Sequence, residues 1–264
     1  VQGENYVRYE ILGSLRVIDE EDRCSFVSAR KIETLLAILL IRADQLVPIT
    51  QLITEIWGKK PPPRATAALY VYISQLRKFL GRPGQSRTPI TTKSPGYILR
   101  MDAATLDVHV FQQRVNQGRA HMRANRHEEA LESFDSALGI WRGPALEDLR
   151  DSPTVHGFVA WAEEARLECV EMQIDATLML GRDRELIGRL YALTAEHPLR
   201  EAFHRQLMLA LCRSGRQAEA LRDYQSIRET LRGELGVEPC HALRDLHEAI
   251  LAGDSQLQPF SAAS

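Results

Sequence analysis

A nine-residue pattern occurs twice in this chain, and it restricts the second half more than any other feature. Arg123-Ala-Asn-Arg126-His-Glu-Glu129-Ala130-Leu131 is echoed by Arg213-Ser-Gly-Arg216-Gln-Ala-Glu219-Ala220-Leu221, with Phe134 answering Tyr224. A weaker copy, Gly181-Arg182 with Glu185 and Ile187, lies 34 residues before Gly215-Arg216 with Glu219 and Leu221. Self-similarity at such a period confines a chain to stacked units, each too small to bury its apolar face alone. Small Ala130 and Ala220 let paired helices approach closely, while Phe134 and Tyr224 fill the space beside them.

A 34-residue period is the tetratricopeptide spacing, and such arrays offer a concave surface to other proteins. The stretch after Asp102 therefore reads as an all-helical array. The stretch before it has another texture. Val7, Tyr9, Ile11, Leu15 and Val17 alternate around Gly13, which predicts a β-hairpin, and residues 24–27 add a short strand. Ser28 is the predicted N-cap of a helix over 29–42, whose Ile32, Leu35, Leu36, Leu39 and Leu40 recur at the helical period. Thr50 is the predicted cap of a second helix ending at Trp57-Gly58, and Pro61-Pro62-Pro63 stiffens the connector. A third helix spans 64–80, with Gly81, Pro83 and Gly84 beyond it. Residues 90–92 and 97–99 flank Lys93-Ser94-Pro95-Gly96 as a hairpin. The expected fold is mainly α with a small β part: an N-terminal winged helix-turn-helix over 6–102, a tetratricopeptide-like all-α domain over 103–253, and a flexible tail over 254–264.

Net charge of −2 hides a division. Residues 1–100 carry 15 Lys and Arg against 9 Asp and Glu, and the remainder carries 18 against 26. From Trp57 to Arg100 nine cations (Lys59, Lys60, Arg64, Arg77, Lys78, Arg82, Arg87, Lys93, Arg100) stand without one carboxylate. Such a block is the footprint of a phosphate-binding surface, although a merely solvated face would also be charged. The acidic half has no business on nucleic acid.

The third helix carries the most informative constellation. At 100° per residue, Leu69, Ile73, Leu76 and Leu80 share one face. The opposite face presents Arg64, Ala67, Val71, Ser74, Gln75 and Lys78, with Tyr70 and Arg77 on its flank. Cations, amide and hydroxyl groups mixed with small apolar ones suit a major groove: cations hold phosphates, Gln75 reads a base edge, Val71 touches a thymine methyl. An ordinary amphipathic helix has the same periodicity, so the surroundings must decide.

No catalytic or metal-binding signature appears: no phosphate loop, nucleophile elbow, HExxH or zinc spacing. Asp151, Ser152 and His156 evoke a triad, but Ser152 before Pro153 reads as a helix start, and His197-Pro198 as a helix boundary. No enzyme activity, metal or cofactor is expected. The longest apolar stretch, 35–41, is too short for a bilayer, the N-terminus has no signal peptide, and Cys24, Cys169, Cys212 and Cys240 read as reduced structural thiols. The expected location is the cytoplasm, at the nucleoid, with no membrane partner.

The N-terminal part resembles the OmpR/PhoB-type winged helix at Ile53-Thr-Glu-Ile-Trp57-Gly58, Val71-Tyr72-Ile73-Ser-Gln-Leu76-Arg77-Lys78-Phe-Leu80 and Thr92-Lys93-Ser-Pro-Gly96-Tyr97. Over residues 6–252 the chain is similar to the Streptomyces antibiotic regulatory protein family. The marks are Tyr9-Glu-Ile-Leu-Gly13-Ser-Leu-Arg16-Val17, Pro61-Pro62, Trp141-Arg142-Gly143-Pro144-Ala145-Leu146, Glu196-His-Pro198-Leu-Arg-Glu201 and Leu235-Gly236-Val-Glu-Pro239. The resemblance implies an activator of antibiotic or other specialised-metabolite genes. It would bind double-stranded DNA at tandem direct repeats as a head-to-tail homodimer and recruit RNA polymerase holoenzyme with its sigma factor. By position, Trp57 lies against the sugar-phosphate backbone, Arg64, Tyr70, Val71, Tyr72, Ser74, Gln75, Arg77 and Lys78 belong to the recognition helix, and Thr92 and Lys93 to the wing. Relatives often carry Arg at Gln75 and polar residues at Ala67 and Ala68, so this chain reads a different repeat or leans on phosphates and DNA shape. The competing classes are a helical-repeat adaptor whose winged helix docks on protein, and a regulator gated by a small molecule in the helical domain.

Overall fold

The computed structural model describes residues 7–81, 88–102 and 104–254. Arg82, Pro83, Gly84, Arg87 and the expected tail from 255 onward lie outside the described residues. The chain divides into two compact units. One comprises Val1–Arg114 with Ser136–Leu167, the other Val115–Asp135 with Glu168–Ser264.

In the first unit, β1 (Arg8–Glu10) and β2 (Arg16–Ile18) form the expected antiparallel hairpin, with Tyr9 opposite Val17. β3 (Cys24–Ser25) extends it on one side. The helices α1 (Arg30–Ile41), α2 (Ile49–Trp57) and α3 (Ala65–Leu80) follow. A second sheet has the order β4 (Val47–Pro48), β6 (Gly96–Leu99), β5 (Ile90–Lys93). Leu35, Leu36, Leu39, Leu40, Leu52, Leu69, Ile73 and Leu76 are all buried between these elements. Burying each such side chain contributes about 1.5–3 kcal/mol, and this shared core holds the three helices in the winged helix-turn-helix arrangement.

Two helix starts differ from the sequence expectation. Ala29, not Ser28, is the N-cap of α1; its extended backbone points its carbonyl at the amides of Ile32 and Glu33 (2.9 and 3.0 Å), and no side chain caps the first turn. α2 begins at Ile49, so Thr50 lies inside it and the cap is Pro48. The wing hairpin sets this start: Pro48 pairs with Gly96, and the Ile49 amide donates to the Pro95 carbonyl at 3.1 Å. Gly96 permits the approach, since a Cβ there would stand 2.0 Å from the Val47 carbonyl oxygen.

The compact units do not part after residue 102. β7 (Thr105–Leu106) joins β1 in parallel, with Leu106 opposite Tyr9. One carboxylate oxygen of Asp107 then accepts the amides of Ile11 and Leu12, both at 2.8 Å. The Trp141–Leu146 motif closes on the same hairpin. Arg142 donates its amide to Leu12 and Leu146 donates its own to Gly13, while the Arg142 guanidinium pairs with Glu10 at 3.0 Å. Gly13 has φ +144 and the Arg142 Cβ would lie 3.1 Å from any Cβ placed there, so both backbone and space call for glycine. On α2, Glu55 accepts from Ser152 and Thr154 at the start of α6 (Pro153–Met179). Burial would raise the Glu55 carboxyl, but these hydrogen bonds outweigh it and hold it below the ordinary range.

The second unit follows the sequence repeat. α4 (Asp107–Arg123) is followed by α5 (His127–Leu138), α6 by α7 (Asp183–Glu196), and α8 (Glu201–Arg213) by α9 (Gln217–Leu235) and α10 (His241–Ala252). Each copy turns at a left-handed residue: Asn125 (φ 54), Gly181 (φ 71) and Gly215 (φ 78). The next amide reaches back five residues, Arg126 to His121, Arg182 to Thr177 and Arg216 to Leu211. This is the Schellman closure, which satisfies carbonyls the helix end leaves open. Ala130, Phe134 and Ala220 are fully buried. α4 contributes Gly118, where a Cβ would meet the Phe134 ring at 2.4 Å.

Candidate nucleic-acid interface

α3 divides as its periodicity requires. Ala65, Leu69, Ile73, Leu76 and Leu80 face the core, and Arg64, Ala67, Tyr70, Val71, Ser74, Gln75 and Lys78 are exposed. Tyr70 and Val71 are 51% and 52% exposed, an unusual position for an aromatic and a β-branched side chain together. Such residues add apolar contact surface to a face otherwise made of donors and cations.

One flank of α3 is tied to the hairpin. Arg77 donates to the Ile90 carbonyl at 3.1 Å and to the Thr92 hydroxyl at 2.7 Å, and its guanidinium lies 5.8 Å from the Tyr97 ring centroid. Arg77 and Thr92 thus hold the wing to the helix. Burial, with Tyr70 beside it, pushes the Tyr97 phenol above its ordinary range against the pull of Arg77. Lys93 sits exposed where β5 turns toward β6. On the other flank Tyr72 stacks on Trp57, centroids 5.7 Å apart and rings 17° from parallel, and both are half-buried.

The electrostatics separate two kinds of cation. Lys59, Lys60, Arg64, Lys78 and Lys93 are exposed, and none pairs with a carboxylate among the described residues. Arg100, by contrast, lies 3.7 Å from Asp44. Sequence reasoning passed over Lys31, whose ammonium stands 5.4 Å from the Trp57 centroid. No spacing signal links the two, because 26 residues separate them and only the packing of α1 on α2 joins them.

Elsewhere, Ser152 accepts the Val155 amide at the first turn of α6, so it works as a helix start, and His197 is the C-cap of α7. Burial pushes the Cys169 thiol up to about 12, leaving it protonated and inert. No helix among the described residues is long and apolar enough to cross a membrane.

Comparison with known proteins assigns both parts of the chain to known families. Residues 28–99 match the family described as "Transcriptional regulatory protein, C terminal", and residues 106–251 match "Bacterial transcriptional activator domain". Regulatory protein DnrI of Streptomyces peucetius is 36% identical over 232 residues, covering 86% of this chain and 85% of DnrI. Transcriptional regulator RedD of Streptomyces coelicolor is 36% identical over 259 residues, covering 97% and 73%. The solved structure of Mycobacterium tuberculosis EmbR in complex with low affinity phosphopeptide superimposes with a TM-score of 0.88 at 34% identity. That match covers 97% of this chain and 66% of EmbR, so the present chain spans about two thirds of it. These relatives and families are transcription regulators rather than enzymes, and this chain joins an OmpR/PhoB-type winged-helix fold to a helical bacterial transcriptional activator domain. The chain belongs to the Streptomyces antibiotic regulatory protein family of transcriptional activators.

Proposed function

We propose that the protein activates antibiotic or other specialised-metabolite genes by binding tandem direct repeats near their promoters and recruiting RNA polymerase holoenzyme with its sigma factor. The carrying observation is the exposed face of α3, which sets Gln75, Ser74 and Val71 among the unpaired cations Arg64 and Lys78. In this reading α3 enters the major groove. Gln75 reads a base edge, Lys93 at the wing tip meets the minor groove or its phosphates, and Trp57 lies against the backbone. Tyr70 and Tyr72 border the same face, while Arg77 and Thr92 act through the position of the wing.

Residues 6–102 serve as the DNA-binding module and residues 103–253 as the activating module, working in the cytoplasm at the nucleoid. Two copies line up head to tail, which calls for repeats about one helical turn apart, roughly 10–11 bp, so that both recognition helices meet one face of the duplex. The test begins with a footprint of the full chain on its own gene neighbourhood, followed by operators with 0, 5 and 10 inserted base pairs. Insertion of half a turn is expected to abolish cooperative binding and transcription, and a full turn to restore part of both. Equal binding at all three spacings, or a requirement for inverted half-sites, overturns the tandem arrangement.

A further inference from the structure

One cation near this face belongs to none of the elements just used. Lys31, the second residue of α1, is exposed, and its ammonium stands over the Trp57 ring. Trp57 stacks in turn on Tyr72 of α3. A row from Lys31 through Trp57 to Tyr72 therefore crosses from α1 over α2 to the recognition helix.

The place of that row follows from helix geometry. With Leu69 at zero and about 100° per residue, Tyr72 lies about 60° to one side of the buried stripe. Arg77 and Tyr70 lie about 80° and 100° to the other side. Arg77 is the residue bonded to the wing. The exposed face of α3 thus has two borders, the wing with Lys93 and the Lys31–Trp57–Tyr72 row. A helix in a major groove is itself bordered on both sides by sugar-phosphate backbone, and contacts to both fix its register.

We propose that Lys31 is a backbone-clamping residue, binding a DNA phosphate at the edge of the groove opposite the wing. The indole face holds the flexible lysine in place through its quadrupole. Unlike a carboxylate, it leaves the positive charge uncompensated for the incoming phosphate. The neighbouring cation shows the alternative: Arg30 is occupied by Asp151 at 2.7 Å, whereas no carboxylate among the described residues pairs with Lys31. The proposal rests on the DNA-binding reading above and adds to it a contact that residues 57–100 do not contain.

The experiment uses the full chain and the duplex that the wild type selects from a randomised pool, with affinity followed by fluorescence anisotropy across salt. Each phosphate neutralised contributes about −0.9 to the slope of log affinity against log salt. Lys31→Gln is expected to make the slope shallower by about 0.9, so that from 50 to 200 mM salt the variant loses about threefold less affinity than the wild type. Its preference among sequences and its melting curve stay those of the wild type, and Lys31→Arg retains the wild-type slope. A wild-type slope and affinity in Lys31→Gln, alongside a shallower slope in Lys93→Gln, overturns the assignment of Lys31 and leaves the DNA-binding reading standing. Failure of the wild type to select any sequence, with no dependence on salt, overturns that reading itself.

Discussion

The two halves of this chain spend their cations in opposite ways. In the helical repeat a set of arginines is committed to carboxylates: Arg200 to Glu171, Arg205 to Asp175, Arg213 to Asp183, Arg216 to Glu219, and both Arg228 and Arg232 to Glu238. Around α3 and the wing, Lys59, Lys60, Arg64, Lys78 and Lys93 have no such partner among the described residues. A planar guanidinium suits fixed, forked pairing, while an exposed ammonium remains a hydrated point charge that can exchange water for phosphate. The pairs fix cations into the framework at these positions of the repeat, whereas those lysines and Arg64 around α3 and the wing stand without carboxylate partners among the described residues. The boundary is not one of residue type alone, since Arg77 lies in the basic stretch yet serves the wing.

The comparison breaks most visibly at Arg213, whose pair with Asp183 is largely buried (side chains 14% and 6% exposed). Arg213→Ala strands a buried carboxylate, and a loss of about 3–5 kcal/mol of stability is expected, read by urea denaturation. DNA affinity of the folded fraction should stay at the wild-type value; a variant of full stability would show that this arginine is not framework.

Asp107 gives the next effect. Burial pushes its carboxyl up to about 6, against the pull of the Ile11 and Leu12 amides and Arg142. A folded value above the unfolded one, about 3.9, means that the fold favours the protonated form. That contribution is complete below the unfolded value and is lost as pH rises through about 6, amounting to up to about 3 kcal/mol. Asp107→Asn keeps an acceptor for the two amides without the charge, and is expected to flatten stability across this window. Parallel pH profiles for the two proteins would contradict the assignment.

On the binding side, Lys78→Glu removes one unpaired cation and adds repulsion. Affinity for duplex DNA should fall roughly tenfold at low salt, with the salt slope shallower by about 0.9 and the melting temperature unchanged. A drop in stability instead would place Lys78 with the framework cations. The smallest effect belongs to Arg182→Ala, which removes an exposed pair with Glu185. Surface pairs separated by three residues contribute little and are screened by salt, so neither calorimetry nor DNA titration should register the change. A clear shift in either would mean that this exposed pair, like the buried one at Arg213, is part of the framework.

Much of this was legible in the sequence. The faces of α3 follow from helical periodicity, and the burial of Ala130, Ala220, Phe134 and Tyr224 follows from the nine-residue repeat; the left-handed turns at Asn125, Gly181 and Gly215 are seen only in the structure. The starts of α1 and α2 were not legible either, because the extended Ala29 backbone and the Pro48–Gly96 pairing outweigh the capping preference of Ser28 and Thr50. Within the candidate interface the exposed cations and Gln75 were visible from periodicity, whereas the commitment of Arg77 to Thr92 and the placement of Lys31 over Trp57 were not.

By itself the sequence determined the mainly helical class, the division of charge, the repeat and the buried and exposed faces of α3. These depend on backbone preference and on side chains that share a helix face, both properties of near neighbours. Only the tertiary structure decided which cations are spent, and where the chain divides into compact units. It alone joined Asp107 to Ile11 and Leu12, Arg142 to Glu10, and Glu55 to Ser152 and Thr154. Those partners lie from 95 to 132 residues apart, and no local preference carries information over that distance. What brings them together is the burial of one shared core, which fixes topology first and leaves the polar groups to find partners among whatever neighbours it supplies.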